Sequence, residues 1–271
     1  KAVEEIGGFC EWSLVEDLHS SMMLEDKGWA SVYYPFPLTE GAAPTDIFAQ
    51  QQQRRQWATD SLRILFWDNP FLRKGLQWHQ KVSYFHFGYH YIMFGIAYPI
   101  FFFIPIWALF TGDFVLTAPL WVFVAYRLPY LGLMRWMNSS MTNQKQDIKS
   151  FQVQSGLWFV YLVAIFTALL HPIHRPKYRV NTKVTRDINL FARALAVFPN
   201  LALMGLSVAA MVYGFMHYWN RPTYLWIHVF WCGWAIFAVL RATLVGMFPD
   251  MMYAWSAKYE RGKSHGTRKK K

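Results

Sequence analysis

Long hydrophobic runs alternate with short polar stretches over residues 89–247. About 20 apolar residues are enough for a helix to cross a bilayer. Four runs reach that length, and we expect them to span the membrane: 89–110, 114–134, 195–219 and 224–247. A fifth run, 157–170, is short for a span and is predicted to lie in the interface or to form a re-entrant segment. The pattern predicts an α-helical membrane protein with about four to five transmembrane helices.

The first 50 residues carry shorter patterns. Asp17 lies directly before an apolar periodicity, which predicts that it is the N-cap of a helix over residues 18–27. There its carboxylate would face the positive end of the helix dipole, which stabilises a negative charge. Residues 30–34 alternate and are rich in β-formers, so they predict a strand that ends at Pro35.

Two more helices are predicted before the first span. Thr45 is the expected N-cap of a helix over residues 47–67, on which Gln53 and Trp57 share one face because they are four positions apart. Residues 71–87 are basic and aromatic, a pattern typical of an amphipathic helix that lies in the membrane interface.

Composition excludes an ordinary soluble domain and disfavours nucleic-acid binding. Charged residues are only 16% of the chain, against about a quarter in soluble domains. The net charge is +11, but the basic residues cluster beside the hydrophobic runs, where anionic lipid attracts them. The positive-inside rule puts the N-terminal part and the basic tail in the cytoplasm, and we expect a multi-pass protein of the plasma membrane.

Few residues suggest a metal or a nucleophile. His86 and His90 are four positions apart, but no third ligand is apparent, so the sequence predicts no metal site. Cys10 has no base placed near it in the sequence and is interpreted as buried filler. Cys10 and Cys232 lie in different surroundings, which predicts no disulfide framework.

Two polar clusters precede the first hydrophobic run, the Glu16-Asp17 pair and residues 53–57. A carboxylate can deprotonate a hydroxyl, cationic and amide donors can hold an anionic leaving group, and an indole can stack on a sugar. Each cluster also has a plain structural alternative, because a carboxylate pair can simply cap a helix and Trp57 can simply anchor the interface. The two clusters together favour polymer synthesis at a membrane surface.

Three segments, in this order, resemble motifs of the processive family 2 glycosyltransferases, which are the cellulose, hyaluronan and chitin synthases. Val15-Glu16-Asp17, followed by a short helix and Gly28-Trp29, is similar to the stretch around their T-E-D motif. Gln53-Arg54-Arg55-Gln56-Trp57 resembles the Q-x-x-R-W motif. Residues 179–186 resemble the F-x-V-T-x-K gating loop of bacterial cellulose synthases, with departures at Thr182 and Asp187.

The resemblance implies catalytic residues in the first segment. Asp17 matches the general base that deprotonates the acceptor hydroxyl, and Glu16 is its neighbour in the motif. Val184 and Thr185 would belong to a loop that closes over the donor site, where Thr185 could donate to a phosphate. A plain cytoplasmic linker is the alternative for that loop.

The second motif implies substrate binding. Gln53, Arg54 and Arg55 would hold the nucleotide diphosphate, and Trp57 would stack on the acceptor sugar at the mouth of a channel. Gln56 stands where the family has arginine. Which arginine meets the diphosphate therefore stays open.

The resemblance also implies an organisation of the chain. The donor-binding half of the family's catalytic domain, with its Mg²⁺ or Mn²⁺ ligands, is expected outside these residues, either in a longer protein of which this is a fragment or in a partner chain. The expected regions are the C-terminal part of a GT-A α/β catalytic domain (1–50), interfacial helices (51–88), transmembrane and interfacial helices (89–170), a cytoplasmic gating-like loop (171–190), a transmembrane hairpin (191–247) and a basic cytoplasmic tail (248–271).

The activity that the resemblance implies is that of an inverting hexosyltransferase. It would transfer a sugar, with glucose favoured by the gating-loop match, from a UDP-sugar to a growing polysaccharide. It would also move the polymer through its own transmembrane channel. Membrane lipids are the other expected partners. The alternative is a non-catalytic membrane transporter or scaffold subunit that retains relic motifs.

Overall fold

The computed structural model describes residues 1–32, 34, 36, 38–39, 41, 44, 46–115, 118–141, 148–174, 176–177 and 187–250. These residues are mostly helical, and none of them lies in a β-strand. A 3-10 turn (Pro70–Leu72) and a π turn (Met93–Ala97) interrupt the α-helices. The α-helices are α1 (Ala2–Glu5), α2 (Glu16–Asp26), α3 (Ile47–Trp67), α4 (Trp78–Ile92), α5 (Tyr98–Thr111), α6 (Leu120–Met141), α7 (Ile148–Ser155), α8 (Trp158–Leu170), α9 (Leu190–Ala196), α10 (Phe198–His217) and α11 (Pro222–Met247).

The chain forms two compact units. Unit 1 contains Lys1–Pro99 and Leu157–Arg186, and unit 2 contains Ile100–Gly156 and Asp187–Lys271. Both polar clusters identified in the sequence, Glu16-Asp17 and residues 53–57, belong to unit 1.

The central helix of unit 1 is α3, which packs against α4 and α8. Its residues Ala58, Leu62 and Leu65 are almost completely buried. Gly88 of α4 lies so close to α3 that an added Cβ would be 2.7 Å from the Cβ of Leu65. A residue without a side chain at such a crossing lets two helix backbones approach closely.

A small hydrophobic core holds α2 against the second half of α3. Val15, Met22, Ile64 and Leu76 are buried together. Removing an aliphatic side chain of this size from water stabilises the fold by roughly 1.5–3 kcal/mol. The core therefore docks the helix that carries the acid pair onto the helix that carries residues 53–57.

The start of α2 differs from the prediction. The helix begins at Glu16 with Val15 as its N-cap, so Asp17 lies in the first turn and is not the cap. The Asp17 Oδ1 accepts a hydrogen bond from the N–H of the next residue, Leu18, at 2.7 Å, whereas a capping side chain reaches two or three residues ahead. The predicted end is confirmed, since Gly28 follows the helix with a positive φ of 89°.

The start of α3 is set by Asp46, whose carboxylate accepts from the N–H of Ala49 at 2.8 Å. Thr45, the predicted cap, lies outside the described residues. The predicted extent of the helix, 47–67, is confirmed.

The predicted strand over residues 30–34 is wrong for the part of it that the structure describes. Residues 30–32 and 34 belong to no strand. A strand needs a neighbouring segment to exchange backbone hydrogen bonds with. Among the described residues, no segment pairs with this one.

The helix predicted over residues 71–87 is present from residue 78 onward, but its predicted start is wrong. Helix α4 begins only at Trp78, with Gln77 as its N-cap. The connection before it is tied to α2, because the Gly75 N–H donates to the Asp26 carboxylate at 2.8 Å. An added Cβ at Gly75 would lie 1.8 Å from the Asp26 carbonyl oxygen. The backbone of Gly75 therefore bonds to α2 and not to a helical neighbour.

Among the described residues, three helical runs are long and apolar enough to cross a membrane: Trp78–Thr111, Phe198–His217 and Pro222–Met247. A fourth is added if α7 and α8, which qualify together as a bent pair, form one broken span. The predicted span 114–134 is not among them. Its helix, α6, carries Arg127 and Arg135, and their charges lower its mean hydropathy.

Unit 2 contains α10 and α11, joined by a short turn, in the region where the sequence predicts a transmembrane hairpin. Polar side chains also join helices of this unit. The Asn200 side chain donates to the Gly156 carbonyl at 2.9 Å, and the Gln152 side chain donates to the Phe237 carbonyl at 2.7 Å. Such bonds satisfy polar groups where no water is present.

Candidate functional site

Glu16 and Asp17 lie in the first turn of α2, and both side chains are exposed. The free N–H groups of a first turn and the helix dipole stabilise negative charge at this position. An accessible carboxylate there can take a proton from a bound hydroxyl.

The residues of the 53–57 cluster lie on two sides of α3. Arg55 lines a cavity together with Gln52 and Gln56. Arg54 instead stacks on Trp57, with its Cζ 5.1 Å from the ring centroid. Gln53, Arg54 and Trp57 are not among the residues that line the cavity. Consecutive residues of a helix are about 100° apart around its axis, so adjacent members of the motif face different surroundings.

The cavity has a volume of about 240 Å³. One wall is a face of α3, and the others come from the segment before α2, from α8 and from the segment after α8. Leu14, two residues before Glu16, contributes to the first of these. The described lining residues are Leu14, Gln52, Arg55, Gln56, Thr59, Asp60, Thr167, Pro176 and Lys177. The cavity therefore adjoins the segment that carries the acid pair.

A buried ion pair lies beneath the cavity. Asp60 and Arg63 are both completely buried, and Arg63 Nη1 lies 2.6 Å from Asp60 Oδ1. The guanidinium also donates to the carbonyl oxygens of Trp12 and His171, each at 2.8 Å, and lies 4.0 Å from the Trp12 ring centroid. These contacts join α3 to the segments that form two other walls. The sequence analysis missed this pair, although an acid and an arginine three positions apart on a helix are a recognisable signal.

A second network fixes α2 to the turn after α3. His19 Nε2 lies 2.7 Å from Asp68 Oδ2. Arg73 donates to both oxygens of Asp68 and, at 3.2 Å, to Asp26 of α2. Burial raises the pKa of the Asp68 carboxyl, but the hydrogen bonds from His19 and Arg73 outweigh burial and bring the pKa to about 2. The bond with Asp68 in turn raises the pKa of Arg73.

The Asp68 network predicts a loss of stability in acid. The pKa of Asp68 lies below its ordinary value of 3.8, so the ionised form favours the folded state above that value, and the contribution is lost as the pH falls through about 2. We expect the free energy of unfolding to fall by about 1 kcal/mol from this group between pH 6 and pH 3. Denaturant titrations of the wild type and of Asp68→Asn measure it. Equal losses in both proteins would contradict the prediction.

Cys10 does have a base beside it, contrary to the interpretation from sequence. Its Sγ lies 3.1 Å from Nδ1 of His19, and His19 is only 4% exposed. His19 is held by Asp68 on its other side. The two residues come from a loop and from a helix, so no periodic pattern could indicate their contact.

The predicted gating residues Val184 and Thr185 lie outside the described residues. Within the described part of the chain, no group of three or more His, Cys, Asp or Glu side chains could hold a metal ion. The rings of His86 and His90 are 6.4 Å apart. The side chains described here therefore do not form a site that fits Mg²⁺ or Mn²⁺.

Part of this chain matches the model of a known protein family. The family model described as "Glycosyl transferase family group 2" matches residues 1–170 of this chain. That range includes the acid pair, the 53–57 cluster and all described walls of the cavity except Pro176 and Lys177.

Curated relatives are cellulose synthases of bacteria. Cellulose synthase 1 of Komagataeibacter xylinus is 26% identical over 254 residues, which are 90% of this chain and 16% of the relative. Cellulose synthase 2 of Novacetimonas hansenii is 28% identical over 222 residues, 79% of this chain and 13% of the relative. The "Cellulose synthase 1 catalytic subunit (UDP-forming)" of Komagataeibacter xylinus is 38% identical over 84 residues, 31% of this chain and 11% of the relative. The chain spans less than a fifth of the length of each.

Proposed function

Because this chain belongs to glycosyl transferase family group 2, we propose that it is part of a processive, inverting synthase of a polysaccharide. The donor is a UDP-sugar, with glucose as the sugar, because a relative named as a UDP-forming cellulose synthase is 38% identical over 84 residues. The observation that carries the proposal is the cavity between the acid-pair segment and the polar face of α3. It offers a place for an anionic leaving group, and Leu14 in its wall lies three positions before Asp17 in the sequence.

The proposed reaction begins with the acceptor hydroxyl. Its oxygen attacks the anomeric carbon of the donor sugar while Asp17 takes the hydroxyl proton. The bond between that carbon and the diphosphate breaks, and UDP leaves from the opposite side, which inverts the configuration. Asp17 is suited to this step because its side chain is exposed in the first turn of α2. Glu16, also exposed, adds to the negative potential around the base.

The leaving diphosphate carries growing negative charge, which cationic and amide donors stabilise. Arg55, with Gln52 and Gln56 beside it, presents such donors in the cavity. Gln53 and Arg54, the other residues expected to hold the diphosphate, do not line this cavity, so Arg55 is the arginine of the cluster that we assign to the diphosphate. Val184 and Thr185 belong to the loop that closes over the donor.

Trp57 is the proposed platform for the acceptor sugar. Its side chain is 40% exposed, which leaves ring surface for a pyranose to stack on. The guanidinium of Arg54 lies 5.1 Å from the ring centroid. This contact orients the indole, so Arg54 is a positioning residue for the acceptor sugar.

The remaining parts of the synthase follow from the family. Residues 1–50 are proposed to complete a GT-A domain whose donor-binding half and metal ligands lie outside this chain. Unit 1 faces the cytoplasm of a plasma membrane, and the polymer leaves through a channel of the transmembrane helices. The side chains of the described residues do not fit a metal ion.

Incorporation of radiolabelled sugar tests the proposal. Membrane vesicles that contain the complete synthase, or this chain together with its donor-binding partner, are given UDP-glucose, UDP-N-acetylglucosamine or UDP-glucuronate in parallel. We expect polymer that is insoluble in trichloroacetic acid from UDP-glucose and release of UDP in equal amount. If no donor yields polymer while the chain is folded and inserted, the chain is a non-catalytic transporter or scaffold. Polymer from another donor alone would correct the sugar.

A further inference from the structure

Lys177 lines the same cavity as Arg55, from the segment after α8. We propose that Lys177 is the second cation of an oxyanion site in this cavity and that it binds the diphosphate of the nucleotide together with Arg55. The identity of the ligand rests on the proposed function. The assignment adds a binding residue that lies outside both motifs of unit 1 and outside the range matched by the family model.

The charges of the residues that line the cavity favour an anionic ligand. Among the described lining residues, Asp60 is the one acid, and it is neutralised by Arg63 in a completely buried pair at 2.6 Å. The described lining residues, counted together with Arg63, then carry a net charge of +2 from Arg55 and Lys177. Among the described residues, no ion pair involves either of these two cations.

Lys177 supplies a cation from a wall of the cavity other than α3. On α3 the lining side chains beside Arg55 include Gln52 and Gln56, whose amides donate hydrogen bonds but carry no charge. As a compact ammonium on a flexible stem Lys177 binds phosphate as a point charge, whereas the guanidinium of Arg55 binds two oxygens at once.

The size of the cavity and the residues around it also fit an oxyanion. The cavity has a volume of about 240 Å³, far above the roughly 10–15 Å³ that one water requires. Amide groups of Gln52 and Gln56 and the hydroxyl of Thr59 supply further polar atoms. Leu14, three positions before the proposed base in the sequence, also lines the cavity.

The test is calorimetric titration of this chain with inorganic pyrophosphate in a maltoside detergent, which brings no phosphate of its own. We expect Lys177→Gln to weaken binding about tenfold, in line with one charge-assisted hydrogen bond. Lys177→Arg keeps the charge and should restore most of the affinity. Lys74→Gln removes an exposed lysine that does not line the cavity and should leave the affinity unchanged. Lys177 is exposed, so its replacement should not disturb folding.

Two results would overturn the assignment. One is equal pyrophosphate affinity of the wild type and Lys177→Gln. The other is displacement of pyrophosphate by phosphatidic acid but not by UDP, which would give the same oxyanion site to a lipid headgroup.

The titration separates this inference from the proposed function. Lys177-dependent binding of pyrophosphate without any sugar transfer by the complete protein would support the oxyanion site and refute the synthase. Sugar transfer with pyrophosphate binding that does not depend on Lys177 would refute only the role of Lys177.

Discussion

Asp17→Asn is expected to reduce polymer synthesis at least a hundredfold. A positioned general base contributes about 10²–10⁴-fold to a rate, and an amide cannot take the proton. The substitution should keep the fold, because the Asp17 side chain is exposed and accepts a hydrogen bond from the N–H of the next residue, Leu18. The asparagine carbonyl oxygen can accept the same bond. The measurement is incorporation of labelled sugar in vesicles, at equal amounts of inserted protein.

Two variants serve as controls for this prediction. Asp113→Asn neutralises an exposed carboxylate of unit 2 and should leave synthesis unchanged. Glu16→Gln tests the neighbour in the same helical turn and should reduce the rate less than Asp17→Asn does. Synthesis by Asp17→Asn within a few-fold of the wild type would refute the base assignment. A loss of equal size in Glu16→Gln would move the role to Glu16.

Arg63→Met is expected to destabilise unit 1 by about 3–5 kcal/mol, the usual effect of removing one member of a buried ion pair. Asp60 is completely buried and would lose its guanidinium. The carbonyl oxygens of Trp12 and His171 would lose a donor at the same time. For a chain of this size the change corresponds to a fall of at least about 6 °C in the thermal midpoint.

The midpoint can be followed by tryptophan fluorescence in detergent, with Arg55→Met as a matched control. Arg55 is on the same helix but only half-buried, and its loss should change the stability by less than about 0.5 kcal/mol. The double variant Asp60→Asn with Arg63→Met removes the buried negative charge too and should regain part of the loss. A midpoint of Arg63→Met within 2 °C of the wild type would refute the structural role of the pair.

Local patterns predicted the long helices well. Periodicity and hydrophobic length gave α3, α10 and α11 because each depends on contacts within one segment and on transfer of apolar residues into lipid. The helix end at Gly28 was also predictable from the sequence, because the positive φ at a helix end favours glycine whatever lies around it.

Predictions that depended on distant partners were less successful. The strand over residues 30–34 needed a neighbour that no described segment supplies. The helix predicted over residues 71–87 begins only at Trp78, because the backbone N–H of Gly75 donates to Asp26 of α2. The predicted cap at Asp17 is wrong because α2 begins two positions earlier, with Val15 as its N-cap, and a shift of that size lies within the usual uncertainty of helix ends.

For the candidate site, too, the sequence identifies the residues and the tertiary structure determines their surroundings. Residue types and their order identify the acid pair and the glutamine–arginine–tryptophan cluster, because motif identity is carried by neighbours in the chain. Packing determines what surrounds these residues. Arg54 stacks on Trp57, whereas Arg55 lines the cavity. Lys177 lines the same cavity although it lies 122 positions after Arg55 in the sequence. Side chains so far apart line one cavity only because α3 and α8 pack together, and no single segment encodes that arrangement.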